Sequence, residues 1–201
     1  MIYPDLQDNI DRLQQFEISE ERKQTLAPLI EYIQEKVTKK ERVNLNYICT
    51  HNSRRSQLSQ VWSKLASTIF KIDSESYSGG VEVTAFNERA IYSLTRFGFQ
   101  VSVHGIDNPK YTIRFSDLYD PIVSFSKLYD DKANPKESFA AVMTCSDADD
   151  NCPFIPGTEK RIALTYEDPK AFDDTEHESE KYDERSDQIG SELLYVFSQI
   201  V

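Results

Sequence analysis

Apolar residues recur at helical spacing from the first residues of the chain. Leu6, Ile10, Leu13 and Phe16 form one stripe; after a polar break at Glu17-Ile18-Ser19, Leu26, Leu29, Ile30, Ile33 and Val37 form a second. Ser19 reads as an N-cap with Glu20 and Glu21 in the first turn behind it. The basic run Lys36 to Arg42 reads as a helix end and an exposed link, so residues 1–42 are expected to form a helical extension and residues 43–201 the main domain.

The pattern changes at Val43. Val43 to Ile48 alternates as a strand does and runs into a polar stretch, Cys49-Thr50-His51-Asn52-Ser53-Arg54-Arg55-Ser56. Gln57 to Phe70 then carries Leu58, Val61, Trp62, Leu65 and Ile69 at helical spacing. Strand, polar loop and helix form the unit that opens a parallel α/β sheet. A second strand is expected over 72–77, then a turn at Ser78-Gly79-Gly80, then a helix over 87–97 stopped by Gly98. Residues 104–138 hold Pro109, Pro121 and Pro135 and read as a long connection with a strand or two inside it. Phe139 to Met143 is a buried strand leading into an acidic loop with Cys145 and Cys152 at its ends. A short strand over 161–166, the triplet Glu167-Asp168-Pro169 and a helix over about 175–200 complete the chain.

Composition narrows the chemistry. The chain has 201 residues, 34 acidic and 23 basic side chains and a net charge of -11. That balance argues against nucleic acid as a partner, because phosphate backbones need a basic footprint. No apolar run approaches the roughly 18 residues of a membrane span, and Met1-Ile2-Tyr3-Pro4-Asp5 is no secretory signal. Three cysteines are too few for a disulfide framework, and a reducing, cytoplasmic setting is expected.

The strongest chemical signal is Cys49 followed at fixed spacing by Arg55 and Ser56. A loop between a strand end and a helix start turns its N–H groups inward, and the helix dipole adds positive potential there. Residues 50–55 (Thr50, His51, Asn52, Ser53, Arg54, Arg55) are expected to cradle a tetrahedral oxyanion, with the Arg55 guanidinium gripping two of its oxygens. Cys49 at the bottom is favoured as thiolate and is the candidate nucleophile, with Ser56 as its hydrogen-bond donor. Cys145 and Cys152 enclose a polar loop that can change conformation cheaply. No metal site is expected, since their spacing is not Cys-x-x-Cys and no histidine lies nearby. Asp149, Asp150, Asp173 and Asp174 read as solvated loop charges.

The segment Tyr47 to Gln57 resembles the nucleophile loop of the low-molecular-weight protein tyrosine phosphatase superfamily. Within it the chain is most similar to the thioredoxin-coupled arsenate reductases, because Cys145 to Pro153 resembles their redox-cysteine segment. Tyr77-Ser78-Gly79-Gly80 and Glu167-Asp168-Pro169 match two further segments in the expected order. The resemblance implies a three-layer sandwich around a central four-stranded parallel sheet, with the helical extension added. Four features depart from the pattern. His51 stands where glycine is usual and Arg54 where many members have a second loop cysteine. Gln60 stands where potassium-binding members have a carboxylate, although Asn52 and Ser78 match other ligands. The 1–42 extension and the 104–138 connection have no counterpart in compact members.

The resemblance further implies an enzyme that needs no cofactor and reduces arsenate to arsenite. Cys49 attacks arsenic, Asp168 protonates the leaving hydroxyl, and Cys145 and Cys152 pass a disulfide outward to thioredoxin. Pro169 fixes the backbone after Asp168, and a bound anion favours a protonated carboxyl beside it. Two other readings are open. One is a phosphatase that hydrolyses phosphomonoesters through a Cys49 phosphocysteine. The other is a redox or oxyanion sensor signalling through a partner.

Overall fold

The protein's structure, a computed structural model, describes residues 1–151 and 154–201, with Asp150 and Asn151 described by backbone alone. Cys152, one end of the expected redox pair, lies outside the described residues.

β1 (Val43–Cys49) lies at the centre of a four-stranded parallel sheet. It is flanked by β2 (Ser74–Gly80) on one side and by β6 (Phe139–Met143) and then β7 (Thr158–Ala163) on the other. A parallel strand covered on both faces needs apolar residues at successive positions, and β1 and β6 supply them. Leu45, Tyr47, Ala140 and Val142 belong to one large cluster, with α3 (Arg55–Ile69) and α6 (Glu178–Ser198). Ile48, Phe139, Ala141 and Met143 belong to a smaller one, with Ala148, Ile155 and Tyr129. This is the α/β class expected from the sequence.

The extension forms α1 (Pro4–Leu13) and α2 (Glu20–Thr38), and Ser19 Oγ caps α2 by accepting from Arg22 N at 3.2 Å. Leu6, Ile10, Leu13, Leu26, Leu29 and Ile33 are buried in the large cluster. Gly190 on α6 lets α1 approach: a Cβ there would meet Leu13 Cδ1 and the Trp62 ring at 3.0 Å each. Phe16 falls outside α1 and is exposed. Lys36 is not part of an exposed link. It is buried and donates to Glu41 and Glu159 at 2.8 and 2.7 Å, so pairing makes its burial tolerable.

Several other expectations are corrected. Ser78-Gly79-Gly80 is the end of β2 rather than a turn, with Gly79 opposite Ile48 and Gly80 opposite Cys49. The strand expected over 161–166 runs from Thr158 to Ala163. The long connection does hold two strands, as expected: β4 (Lys110–Arg114) and β5 (Ile122–Ser124). With β3 (Gln100–His104), after α4 (Glu88–Arg96), these make a separate three-stranded antiparallel sheet. Ser146 to Asn151, read as loop, is a short helix, α5. Asp173 is no solvated charge: it bonds Arg54 and Tyr182. Among the described residues, no helix is long and apolar enough to cross a membrane.

Candidate active site

The loop from Cys49 to Arg55 closes tightly because Asn52 takes a left-handed conformation, φ 46°, which asparagine tolerates better than most residues. Its side chain then holds the loop together. Asn52 Oδ1 accepts from Lys127 N at 2.9 Å and Gln57 Nε2 at 3.2 Å, and its Nδ2 donates to Ser56 Oγ at 2.9 Å. The last bond fixes the direction of the next. Ser56 Oγ already accepts from Asn52, so its proton is free to point at Cys49 Sγ, 3.0 Å away. Cys49 and Ser56 are both buried.

Gly80 lies directly beneath this loop. A Cβ there would stand 2.7 Å from Asn52 N and 2.9 Å from Thr50 O. The backbones of Val81 and Glu82 donate to Thr50 O at 2.9 and 2.8 Å. The close approach that Gly80 permits is therefore made from the end of β2.

Arg55, at the first turn of α3, reaches across to Asp168. Its Nη2 lies 2.6 Å from Asp168 Oδ2 and its Nη1 donates to Tyr166 O at 2.9 Å. Asp168 Oδ1 accepts from Lys170 N at 3.0 Å, capping the short 3-10 helix Pro169–Phe172. The cleft above Cys49, walled by His51, Ser53, Arg54, Arg55 and Asp168, has a volume of about 10 Å³. That is room for a water, not a tetrahedral oxyanion.

Arg54 faces the same cleft but is held by the far wall. Its Nε donates to Tyr182 OH at 2.7 Å and its Nη2 lies 3.2 Å from Asp173 Oδ2. Burial and the bond to Asp173 hold the Tyr182 hydroxyl well above its ordinary value. His51 is half exposed, with Nε2 3.5 Å from Glu82. Ser53 Oγ donates to Ala85 O at 2.8 Å.

Cys145 is buried beside the loop. Thr50 Oγ1 donates to Asp147 Oδ2 at 2.7 Å, so the Cys145 thiol is the donor in its 3.5 Å contact with the same oxygen. Ala148 N donates to Cys145 Sγ at 3.4 Å. Thr50 thus ties the nucleophile loop to α5.

Nothing in the sequence singles out Lys127. It lies 4% exposed behind the loop, its Nζ donating to Ser78 Oγ at 3.3 Å and resting 4.8 Å from the Phe125 ring. Ser78 Oγ in turn donates to Gln60 Oε1 at 2.7 Å. Burial pushes the Lys127 ammonium down to about 8. A lysine in a proline-rich connection carries no local signal of such a place; its backbone is held there by Asn52 Oδ1, which accepts from Lys127 N, and by Gly80 N, which donates to Lys127 O, at 2.9 Å each.

No family model matches the chain. It is 35% identical over 123 residues to arsenate reductase 1 of Staphylococcus saprophyticus, covering 61% of this chain and 76% of that one. It is 33% identical to an arsenate reductase of Staphylococcus aureus over the same shares. The fold is similar to that of an arsenate reductase solved in a phosphate-binding state, with a TM-score of 0.51 and 15% identity over 79% of this chain and 99% of that one. It is also similar to a low-molecular-weight phosphotyrosine phosphatase of Vibrio cholerae, with a TM-score of 0.51 and 14% identity over 78% of this chain and 94% of that one. The sequence relationship is close enough to assign membership, and the fold agrees with it: the chain belongs to the arsenate reductase family, enzymes built on the low-molecular-weight protein tyrosine phosphatase fold.

Proposed function

We propose that the chain reduces arsenate to arsenite by a three-cysteine relay, with thioredoxin as the reductant. The observation that carries the reading is the pairing of two thiols across one loop. Cys49 stands under the hydroxyl of Ser56, and Cys145 is reached from the same loop through Thr50. A phosphatase needs the first thiol and has no use for the second.

The oxyanion displaces Asp168 from Arg55 and is held by the guanidinium and the N–H groups of residues 50–55. The Cys49 thiolate attacks arsenic, forming an S–As bond, and a hydroxyl leaves as water with a proton from Asp168. Cys145, as thiolate, attacks the Cys49 sulfur. The S–As bond breaks with its electron pair going to arsenic, which leaves as arsenite, and the two sulfurs, oxidised by two electrons, form the Cys49–Cys145 disulfide. Cys152 attacks Cys145, freeing the Cys49 thiolate, and the dithiol of thioredoxin reduces the Cys145–Cys152 disulfide by exchange. Arg55, with Arg54 beside it, raises the local positive potential in a chain whose net charge of -11 repels anions at long range. The 1–42 helices act as a covering extension to the 43–201 catalytic domain, which has a cytoplasmic setting.

The test is arsenate-dependent NADPH oxidation with thioredoxin and its reductase, beside hydrolysis of an aryl phosphate. Cys49→Ser is expected to abolish both. Cys145→Ser is expected to abolish multi-turnover reduction and leave hydrolysis intact. Sustained reduction by Cys145→Ser rejects the relay. Hydrolysis without any arsenate-dependent oxidation favours the phosphatase, and a single equivalent of reductant consumed per chain favours the sensor.

A further inference from the structure

A second, larger cavity of about 500 Å³ adjoins the closed cleft, and the two share Arg55 and Asp168 as a common wall. Arg22 from the extension, and Arg185 and Gln188 from α6, line its far side, with Glu167 at the edge. Two of its three guanidinium groups have carboxylate partners. Arg22 is bidentate to Glu192 at 2.7 and 2.9 Å, and Arg55 pairs with Asp168 at 2.6 Å.

Arg185 has no such partner. Among the described residues no carboxylate lies within ion-pair distance of it, and the group it donates to is the neutral Gln188 side chain. Its Nε is buried and without a hydrogen-bond partner, and so is the Nε of Arg55. Burial, with Arg55 adding to the same effect, holds the Arg185 guanidinium below its ordinary value even though Glu184 and Glu167 oppose this. The Arg185 and Arg55 side chains line one space, and each guanidinium keeps an N–H without an acceptor. A partly desolvated cation that lacks a carboxylate partner, as Arg185 does, favours an anion beside it.

We propose that this cavity is a capture site for a tetrahedral oxyanion, held by Arg185 with Arg55 before Arg55 releases Asp168 and takes the ion into the Cys49 cradle. The closed cleft makes such a station useful. An arriving dianion offers Arg55 a competing partner outside the cradle, so the pair with Asp168 is exchanged for another ion pair rather than broken into solvent. The cavity is much larger than the ion, which therefore keeps part of its water there. The site's role in turnover rests on the arsenate reading above; its affinity for oxyanions does not.

The probe is inorganic phosphate, titrated calorimetrically at low ionic strength, together with arsenate kinetics. Arg185→Gln is expected to weaken phosphate binding and lower kcat/KM for arsenate by about tenfold, with the loss in KM. Arg185→Lys is expected to recover most of both. Thermal unfolding checks each fold. Should Arg185→Gln not fold, Thr165→Asp, which places a carboxylate on the cavity wall, is expected to give the same losses. Phosphate binding and KM equal to wild type in these variants overturn the proposal, as does Arg185→Lys failing as badly as Arg185→Gln. If wild type reduces no arsenate yet Arg185→Gln binds phosphate weakly, the capture site stands and the arsenate reading falls. If Arg185→Gln reduces arsenate normally and binds phosphate as wild type does, the capture site falls and the arsenate reading stands.

Discussion

Arg55 Nη2 lies 2.6 Å from Asp168 Oδ2, so the two groups expected to act on the oxyanion are bound to each other. On the proposed reading the pair acts as a latch, because an anion would compete with the carboxylate for one guanidinium. Asp168→Asn removes the competing charge and the proton donor together. Phosphate affinity is expected to rise several-fold while turnover falls by roughly a hundredfold or more. Calorimetry and steady-state kinetics on one preparation check it; a fall in both affinity and turnover means that Asp168 is needed to shape the site.

Asn52 joins Lys127, Gln57 and Ser56 through one buried amide. Asn52→Ala leaves those groups without their partner and is expected to cost about 2–3 kcal/mol. Ser56 also loses the donor that directs its proton toward Cys49. Alkylation of Cys49 by iodoacetamide, followed by mass spectrometry at one fixed pH, is therefore expected to change in rate. Urea unfolding gives the stability. An unchanged alkylation rate shows that Ser56 holds its orientation unaided.

Gly80→Ala puts a methyl group 2.7 Å from Asn52 N and from Glu82 O, both backbone atoms with little freedom to yield. Overpacking of this kind costs roughly 1–3 kcal/mol. The strain falls on the loop that shapes the cradle, so activity is expected to drop far more than stability. Equal losses, read from kcat/KM and the unfolding midpoint, show that the damage spreads through the sheet.

Lys127 is held down to about 8 by burial, against an ordinary 10.5. Below pH 8 both folded and unfolded chains carry its proton, and the folded chain bears the burial penalty. Between these two values the unfolded chain keeps the proton and the folded chain has released it, so stability rises with pH through this window. Relative to Lys127→Met, wild type is expected to gain about 3 kcal/mol from pH 8 to pH 10.5. The comparison cancels the tyrosines, which titrate in both chains. A constant stability difference shows the ammonium to be solvated.

Features written in local order were legible from the residues alone. β1, the polar loop and α3 follow one another, so their apolar spacing placed Cys49 at a strand end and Arg55 at a helix start. The same was true of the Ser19 cap and the helix expected over about 175–200, where neighbours three and four positions apart share a face. Which distant groups met was settled by packing. The Ser78-Gly79-Gly80 segment looked like a turn because glycine favours turns; pairing with β1 and the need for contact beneath the loop made it strand. Lys127 was brought behind the cradle by bonds to Asn52, Gly80 and Ser78, partners far from it in the chain. Arg22 and Arg185, 163 positions apart, line one cavity because α2 and α6 pack together. Charge and hydrogen-bonding capacity are properties of residues, but a buried donor's partner, or its lack of one, is a property of the packed whole.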